Sequence, residues 1–80
     1  METSEIIETL NLIFRKVLKR ENIVLSEEST AHDVPGWDSL TNMILISEIE
    51  KNFHIHFSFR EIVKFKNVGD LCRSIIEKQK

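Results

Sequence analysis

The sequence predicts an all-α fold, a small bundle of three longer helices plus one short helix around a single core. Three observations carry that expectation. Apolar residues recur at spacings of three and four in three separate stretches. Asp38, Ser58 and Asn67 stand just before helical stretches, where their side chains can accept hydrogen bonds from unpaired backbone N–H groups. Strand punctuation is scarce, with one proline, Pro35, and two glycines, Gly36 and Gly69.

The first helix is expected at about residues 4–20, with Ile6, Leu10, Ile13, Phe14, Val17 and Leu18 along one face. Lys16, Lys19 and Arg20 gather at its end, where cations oppose the negative end of the helix dipole. A long polar connection follows, from about Glu21 to Trp37. The second helix starts behind Asp38, and its expected core stripe is Leu40, Met43, Ile46, Ile49 and Phe53. Leu40 is expected to anchor its first turn. Ile44 lies off that stripe. It is either exposed or, with Leu45, widens the buried face.

Phe53, Ile55, Phe57 and Phe59 alternate with His54, His56 and Ser58, which is the period of a strand. No second alternating run exists to pair with it. The stretch is therefore expected to be an extended connection whose apolar side chains seal one end of the bundle. Ser58 and Glu61 have the S-x-x-E form of a capping box, opening a short helix at about residues 59–65. Asn67 and Asp70 open the last helix, whose stripe is Val68, Leu71, Cys72, Ile75 and Ile76. Lys78 and Lys80 are expected as a solvated helix end.

Composition bounds the function. The chain has 80 residues, 41% hydrophobic and 30% charged, which suits one globular domain over residues 1–80. The net charge is −2 and the basic residues are scattered among acids, which argues against a nucleic-acid partner. The single Cys72 excludes an intramolecular disulfide and suits a reducing compartment, with the thiol expected as a small core group. No apolar run approaches the roughly 18 residues of a membrane span. No basic, apolar leader opens the chain, so the expected address is the cytoplasm.

The informative place is the junction Asp33-Val34-Pro35-Gly36-Trp37-Asp38-Ser39-Leu40-Thr41. Ser39 falls in the first turn of the second helix, with its hydroxyl expected to point outward. Free N–H groups and the positive end of the dipole favour a phosphate attached there. Gly36 is expected to remove bulk and let another protein approach the backbone. An exposed serine in this setting suits modification more than attack. Taken alone, however, Asp-Ser at a helix start is ordinary capping.

Gly36-Trp37-Asp38-Ser39-Leu40, followed by Thr41, resembles the D-S-L signature of acyl and peptidyl carrier proteins. The likeness covers the whole chain. It takes in the first helix, the long loop, D-S-L opening the second helix, Glu48-Ile49-Glu50-Lys51-Asn52-Phe53 at its end, and Asn67-Val68-Gly69-Asp70-Leu71 opening the last. The resemblance implies that Ser39 receives a 4′-phosphopantetheine arm from coenzyme A, whose thiol carries acyl or aminoacyl groups as thioesters. It implies that Asp38 assists the phosphopantetheinyl transferase, including metal placement in that complex. It also implies a carrier rather than an enzyme, working as a monomer with acyl-loading enzymes, acyl-transfer enzymes or synthases. Such a carrier serves fatty-acid or more specialised biosynthesis. The expected recognition face is Trp37, Leu40, Thr41, Ile44 and Glu48. In the best-known fatty-acid carriers the second helix is strongly acidic on that face. Here the face offers Thr41, Ile44, Leu45, Ser47 and Glu48, with Lys51 near the end, which opens a specialised pathway as an alternative.

Other constellations weigh less. His32, Asp33 and Ser39 supply the residue types of a hydrolase triad, but nothing marks a strand-to-helix nucleophile elbow. His54 and His56 lack the further ligands a metal site needs, so no metal is expected. Trp37 faces a partner or packs over the bundle end. Phe57, Phe59 and Phe65 are expected as core or lid; in carrier proteins this region borders the acyl chain. The rival reading is an unmodified helical interaction module in which Ser39 only caps a helix.

Overall fold

The structure is a computed structural model that describes residues 2–80. It contains four helices: α1 (Thr3–Leu18), α2 (Ser39–Phe53), α3 (Phe59–Ile62) and α4 (Val68–Lys78). Among the described residues there is no strand. The all-α expectation of three longer helices and one short one is met. Both long partners, α2 and α4, pack against α1.

Each element follows from local chemistry. α1 buries Ile6, Leu10, Ile13 and Phe14, and half-buries Val17 and Leu18. It stops two residues earlier than expected, because Lys19 takes a left-handed conformation with φ 56°. α4 buries Val68, Leu71, Cys72 and Ile75 of the expected stripe and half-buries Ile76. Asn67 caps it by accepting from the Asp70 N–H at 2.9 Å. Ser58 and Glu61 form the expected capping box on α3, which ends at Ile62 rather than near residue 65.

The phase of α2 differs from the sequence expectation. Leu45, Ile46, Ile49 and Phe53 are buried, whereas Leu40 is 75% exposed and Met43 is 51% exposed. At about 100° per residue the buried arc runs from Leu45 through Ile49 and Phe53 to Ile46, and Met43 lies about 160° from Leu45. The N-terminal continuation of that arc is Asn42. Its polar side chain meets the indole of Trp37 rather than the aliphatic core, with Trp37 Nε1 donating to Asn42 Oδ1 at 2.9 Å. The stripe of Leu40 and Met43 was apolar but faced the wrong way, and Leu40 does not anchor the turn.

Two further expectations change. The connection after α1 is not simply polar: Ile23, Leu25 and Val34 are buried in the core. It is stitched to α1 and to α4. Arg15 Nε donates to the Ile23 carbonyl at 2.8 Å, and Leu25 N–H donates to Asn11 Oδ1 at 2.8 Å. At the other side, Val68 and Gly69 N–H groups donate to the carbonyls of Ser29 and Glu27 at 2.9 and 2.8 Å. These loop carbonyls satisfy N–H groups at the start of α4 that no helical turn can reach. The alternating aromatics also split. Phe57 is buried, edge-on to Phe65 with centroids 5.3 Å apart, but Phe59 is exposed. The alternation ends at Ser58, where the cap sets a helical period and turns Phe59 outward.

Lys78 is not simply solvated. Its ammonium lies 5.6 Å from the Phe57 ring centroid and pairs with Glu61 at 2.8 Å. That pairing, together with the Ser58 N–H, holds the Glu61 carboxyl down at about 2. Cys72 is buried as expected, and burial pushes its thiol up to about 11.

Candidate functional site

The loop reaches α2 through a fixed sequence of contacts. Gly36 holds φ +89°, a left-handed value that strains any residue with a side chain. A methyl there would meet Leu18 Cδ2 at 3.8 Å and would point back toward α1. The glycine therefore serves the turn, not the close approach of another protein that was expected of it. The next residue, Trp37, sets its ring edge-on against Phe14, with centroids 4.8 Å apart at 89°. Trp37 is half-buried: it packs over the bundle end and also lines the cleft beside Ser39.

Asp38 then closes the helix. One carboxylate oxygen accepts from the Leu40 and Thr41 N–H groups at 3.0 and 2.9 Å. Thr41 completes a reciprocal box, its hydroxyl accepting from the Asp38 N–H at 2.9 Å and donating to the Gly36 carbonyl at 2.7 Å. The Thr41 N–H is the main reason the Asp38 carboxyl sits below the usual carboxylate range. Thr41 thus spends its hydroxyl inside the turn, which removes it as a free polar contact for a partner.

Ser39 is the first residue of α2 and is exposed. Among the described residues, nothing accepts from its backbone N–H and its hydroxyl makes no hydrogen bond. It lies on the rim of a cleft of about 240 Å³ lined by Ala31, Trp37, Asp38, Asn42, Phe65 and Lys66. The donor set fits a phosphodiester. A free N–H sits at the positive end of α2, and the Asp38 charge is already committed to two N–H groups. Phe65 and Trp37 give the cleft an apolar wall along which a chain attached at Ser39 can lie.

The other expected recognition residues divide. Leu40 and Ile44 are exposed on the outer face of α2 with Met43, whose spacing predicts a core position. Leu45 is 1% exposed and belongs wholly to the core. Glu48 is tied down, pairing with Lys16 of α1 at 3.3 Å and with Lys51 at 3.6 Å. The Lys16 hydrogen bond chiefly lowers its carboxyl below the usual range. It bridges helices as well as facing solvent.

The set-aside alternatives stay apart. Asp33 accepts from the Thr30 N–H and hydroxyl at 3.0 and 3.1 Å and so holds a turn in the loop. His56 Nδ1 lies 3.1 Å from Glu50, while His54 ends α2 in a left-handed conformation. Among the described residues, no three His, Cys, Asp or Glu side chains gather as a metal site. Phe65, expected as core or lid, is half-buried and lines the cleft, whereas Asn42 and Lys66 are residues missed from sequence. Asn42 could have been found as the one polar residue in the core-facing arc of α2.

Residues 8–75 match the family described as "Phosphopantetheine attachment site". No curated relative matches the chain. Among solved structures, the chain is similar to the solution NMR structure of a holo acyl carrier protein from Geobacter metallireducens. The two are 41% identical with a TM-score of 0.84, over 91% of this chain and 84% of that one. The family match runs from the middle of α1 to the end of the α4 core stripe and encloses the loop, Asp38 and Ser39, and with that the chain belongs to the acyl carrier proteins, the family built around a phosphopantetheine attachment site.

Proposed function

We propose that Ser39 is the residue that carries the 4′-phosphopantetheine arm, and that the protein shuttles acyl or aminoacyl thioesters between separate enzymes. The observation that carries this is an exposed, unbonded serine hydroxyl at the start of α2, directly behind a carboxylate that fixes the turn. When bound, the arm supplies the thiol on which the cargo rides. The chain's own residues bind and orient. The Ser39 N–H and the α2 dipole stabilise the phosphate charge. Asp38 holds the turn so that the hydroxyl faces outward, and its remaining carboxylate oxygen is open to the transferase and its metal. Trp37 and Phe65 offer an apolar wall beside the attachment point.

The outer face of α2 supports contact with partners through Leu40, Met43 and Ile44, with little carboxylate beyond the tethered Glu48. Apolar contact with weak charge steering supports a pathway more specialised than bulk fatty-acid synthesis. We place the protein in the cytoplasm as a monomer; no helix among the described residues is long and apolar enough to cross a membrane. Incubation with coenzyme A and a promiscuous transferase, followed by intact mass, tests the assignment. The protein is expected to gain one phosphopantetheinyl group, and Ser39→Ala to gain none while keeping its helical spectrum. Labelling of Ser39→Ala would move the attachment elsewhere. A wild-type protein that never gains the group would leave the unmodified interaction module as the better reading.

A further inference from the structure

The segment around α3 has a charge character opposite to that of the whole chain. Between His54 and Lys66 lie three cations, Arg60, Lys64 and Lys66, and one carboxylate, Glu61. All three cations are exposed, and among the described residues none pairs with a carboxylate. The nearby acids are already engaged. Glu61 pairs with Lys78, Asp70 pairs with Arg73 and accepts from the Lys66 N–H at 2.9 Å, and Glu50 accepts from the Phe57 N–H at 2.8 Å beside His56. The net −2 of the chain therefore does not describe this face.

Two large apolar side chains stand in the same segment. Phe59 is 74% exposed and Val63 is 61% exposed. They are four residues apart, joined by the Val63 N–H to Phe59 carbonyl bond at 3.1 Å, so they share one side of the turn. Arg60 and Lys64 repeat that spacing one step around. Lys66 continues the charge to the cleft that holds Ser39. A surface bound there would lie next to the attachment point.

We propose that this face, Phe59 and Val63 flanked by Arg60, Lys64 and Lys66, docks partner proteins that present an apolar socket ringed by Asp and Glu. The inference rests on the carrier reading of Ser39. Three unpaired cations around an apolar pair are complementary to a carboxylate rim, which steers encounter and fixes register. Exposed apolar side chains framed by polar ones mark a contact surface. A protein is favoured over an anionic membrane because α3 has only four residues and gives too short an apolar face to lie in a bilayer surface.

The test places a benzoylphenylalanine photocrosslinker at Val63 in the holo-protein, within cells that naturally make it, with the exposed Val24 position as control. The expected result is an adduct with a discrete protein, specific to position 63, on a peptide flanked by Asp or Glu. With that partner purified, Arg60→Glu/Lys64→Glu/Lys66→Glu should weaken affinity at least about tenfold, and reversing the partner's carboxylates should restore it. Arg60→Gln/Lys64→Gln/Lys66→Gln, which only removes charge, should weaken it in the same direction and covers the case where the reversal variant fails to fold. Equal yields at positions 63 and 24, affinity indifferent to the charge changes, or adducts with lipid instead of protein would each overturn the proposal. Loading of Ser39 is scored separately by intact mass. A protein that loads normally but shows no such docking overturns this surface alone, whereas one that never loads overturns the carrier reading.

Discussion

Truncations along α2 separate its two faces, and the decisive comparison is Leu45→Ala against Met43→Ala and Ile44→Ala. Leu45 is 1% exposed and packs in the same cluster as Ile46, Ile49 and Phe53. Removing a buried leucine side chain loses its transfer energy and leaves a cavity, about 2–5 kcal/mol together. A domain of this size has about 5–15 kcal/mol of stability in all. The loss would therefore lower the melting midpoint by about 10 °C or more, at about 4–8 °C per kcal/mol. In urea, with a slope of about 1 kcal/mol/M, the midpoint should fall by about 2 M or more. Met43 is 51% exposed, and alanine is the better helix former, so the two effects partly offset. Met43→Ala and Ile44→Ala should each stay below about 1 kcal/mol. Urea unfolding followed by helical ellipticity, with the slope checked for constancy, measures all three. A Met43→Ala loss equal to that of Leu45→Ala would refute the phase of α2 and return the Leu40–Met43 face to the core. Transfer assays on Ile44→Ala should in turn show weaker coupling to a cognate enzyme with the fold intact.

The remaining predictions concern two titrating groups. Asp38→Ala should lower the urea midpoint at pH 7 and slow loading of Ser39. Because N–H donors depress the folded carboxyl, its stabilising effect is present above the unfolded value of about 3.9 and is lost as pH falls through the lower folded value. The gap between wild type and Asp38→Ala should therefore close in acid; a gap that persists there would remove the carboxylate from the account. For Cys72 the shift has the other sign. The folded thiol stays neutral to about 11, so stability is full below the unfolded value of about 8.5 and declines as pH rises toward about 11. At pH 8 a thiol reagent should react with the native protein only as fast as the protein opens, and rapid labelling without unfolding would contradict the burial.

Much of this structure could be read from residue types and spacing, and the exceptions share a cause. Caps were legible because Asp38, Ser58 and Asn67 act on groups two or three residues away, and the α1 and α4 stripes were legible because each is an unbroken apolar face. The α2 phase was not, because the core arc continues through polar Asn42 while apolar Leu40 and Met43 face solvent. Only the partner, Trp37, explains why an amide stands there. Likewise Ile23 and Leu25 alternate within a polar stretch too short to signal a strand, and their burial depends on anchors supplied by Asn11 and Arg15 on α1. At the site, Asp38 and Ser39 were marked by local chemistry, while Gly36 was marked for the wrong reason, since its positive φ serves the turn. Phe65 was marked only as core or lid, and Lys66, which completes the cleft from the same distant segment, was not marked at all.

The placement of Trp37 has an optical consequence. It is the sole tryptophan, and the chain has no tyrosine. Long-wavelength ultraviolet absorption and emission therefore come from one indole, wedged against Phe14, hydrogen-bonded to Asn42 and forming one wall of the cleft beside Ser39. Its emission wavelength tracks whether the loop is seated on the bundle, and its intensity tracks what lies in the cleft. The chain thus has an intrinsic fluorophore at its proposed working end, and successive loading states can be followed in real time without a dye.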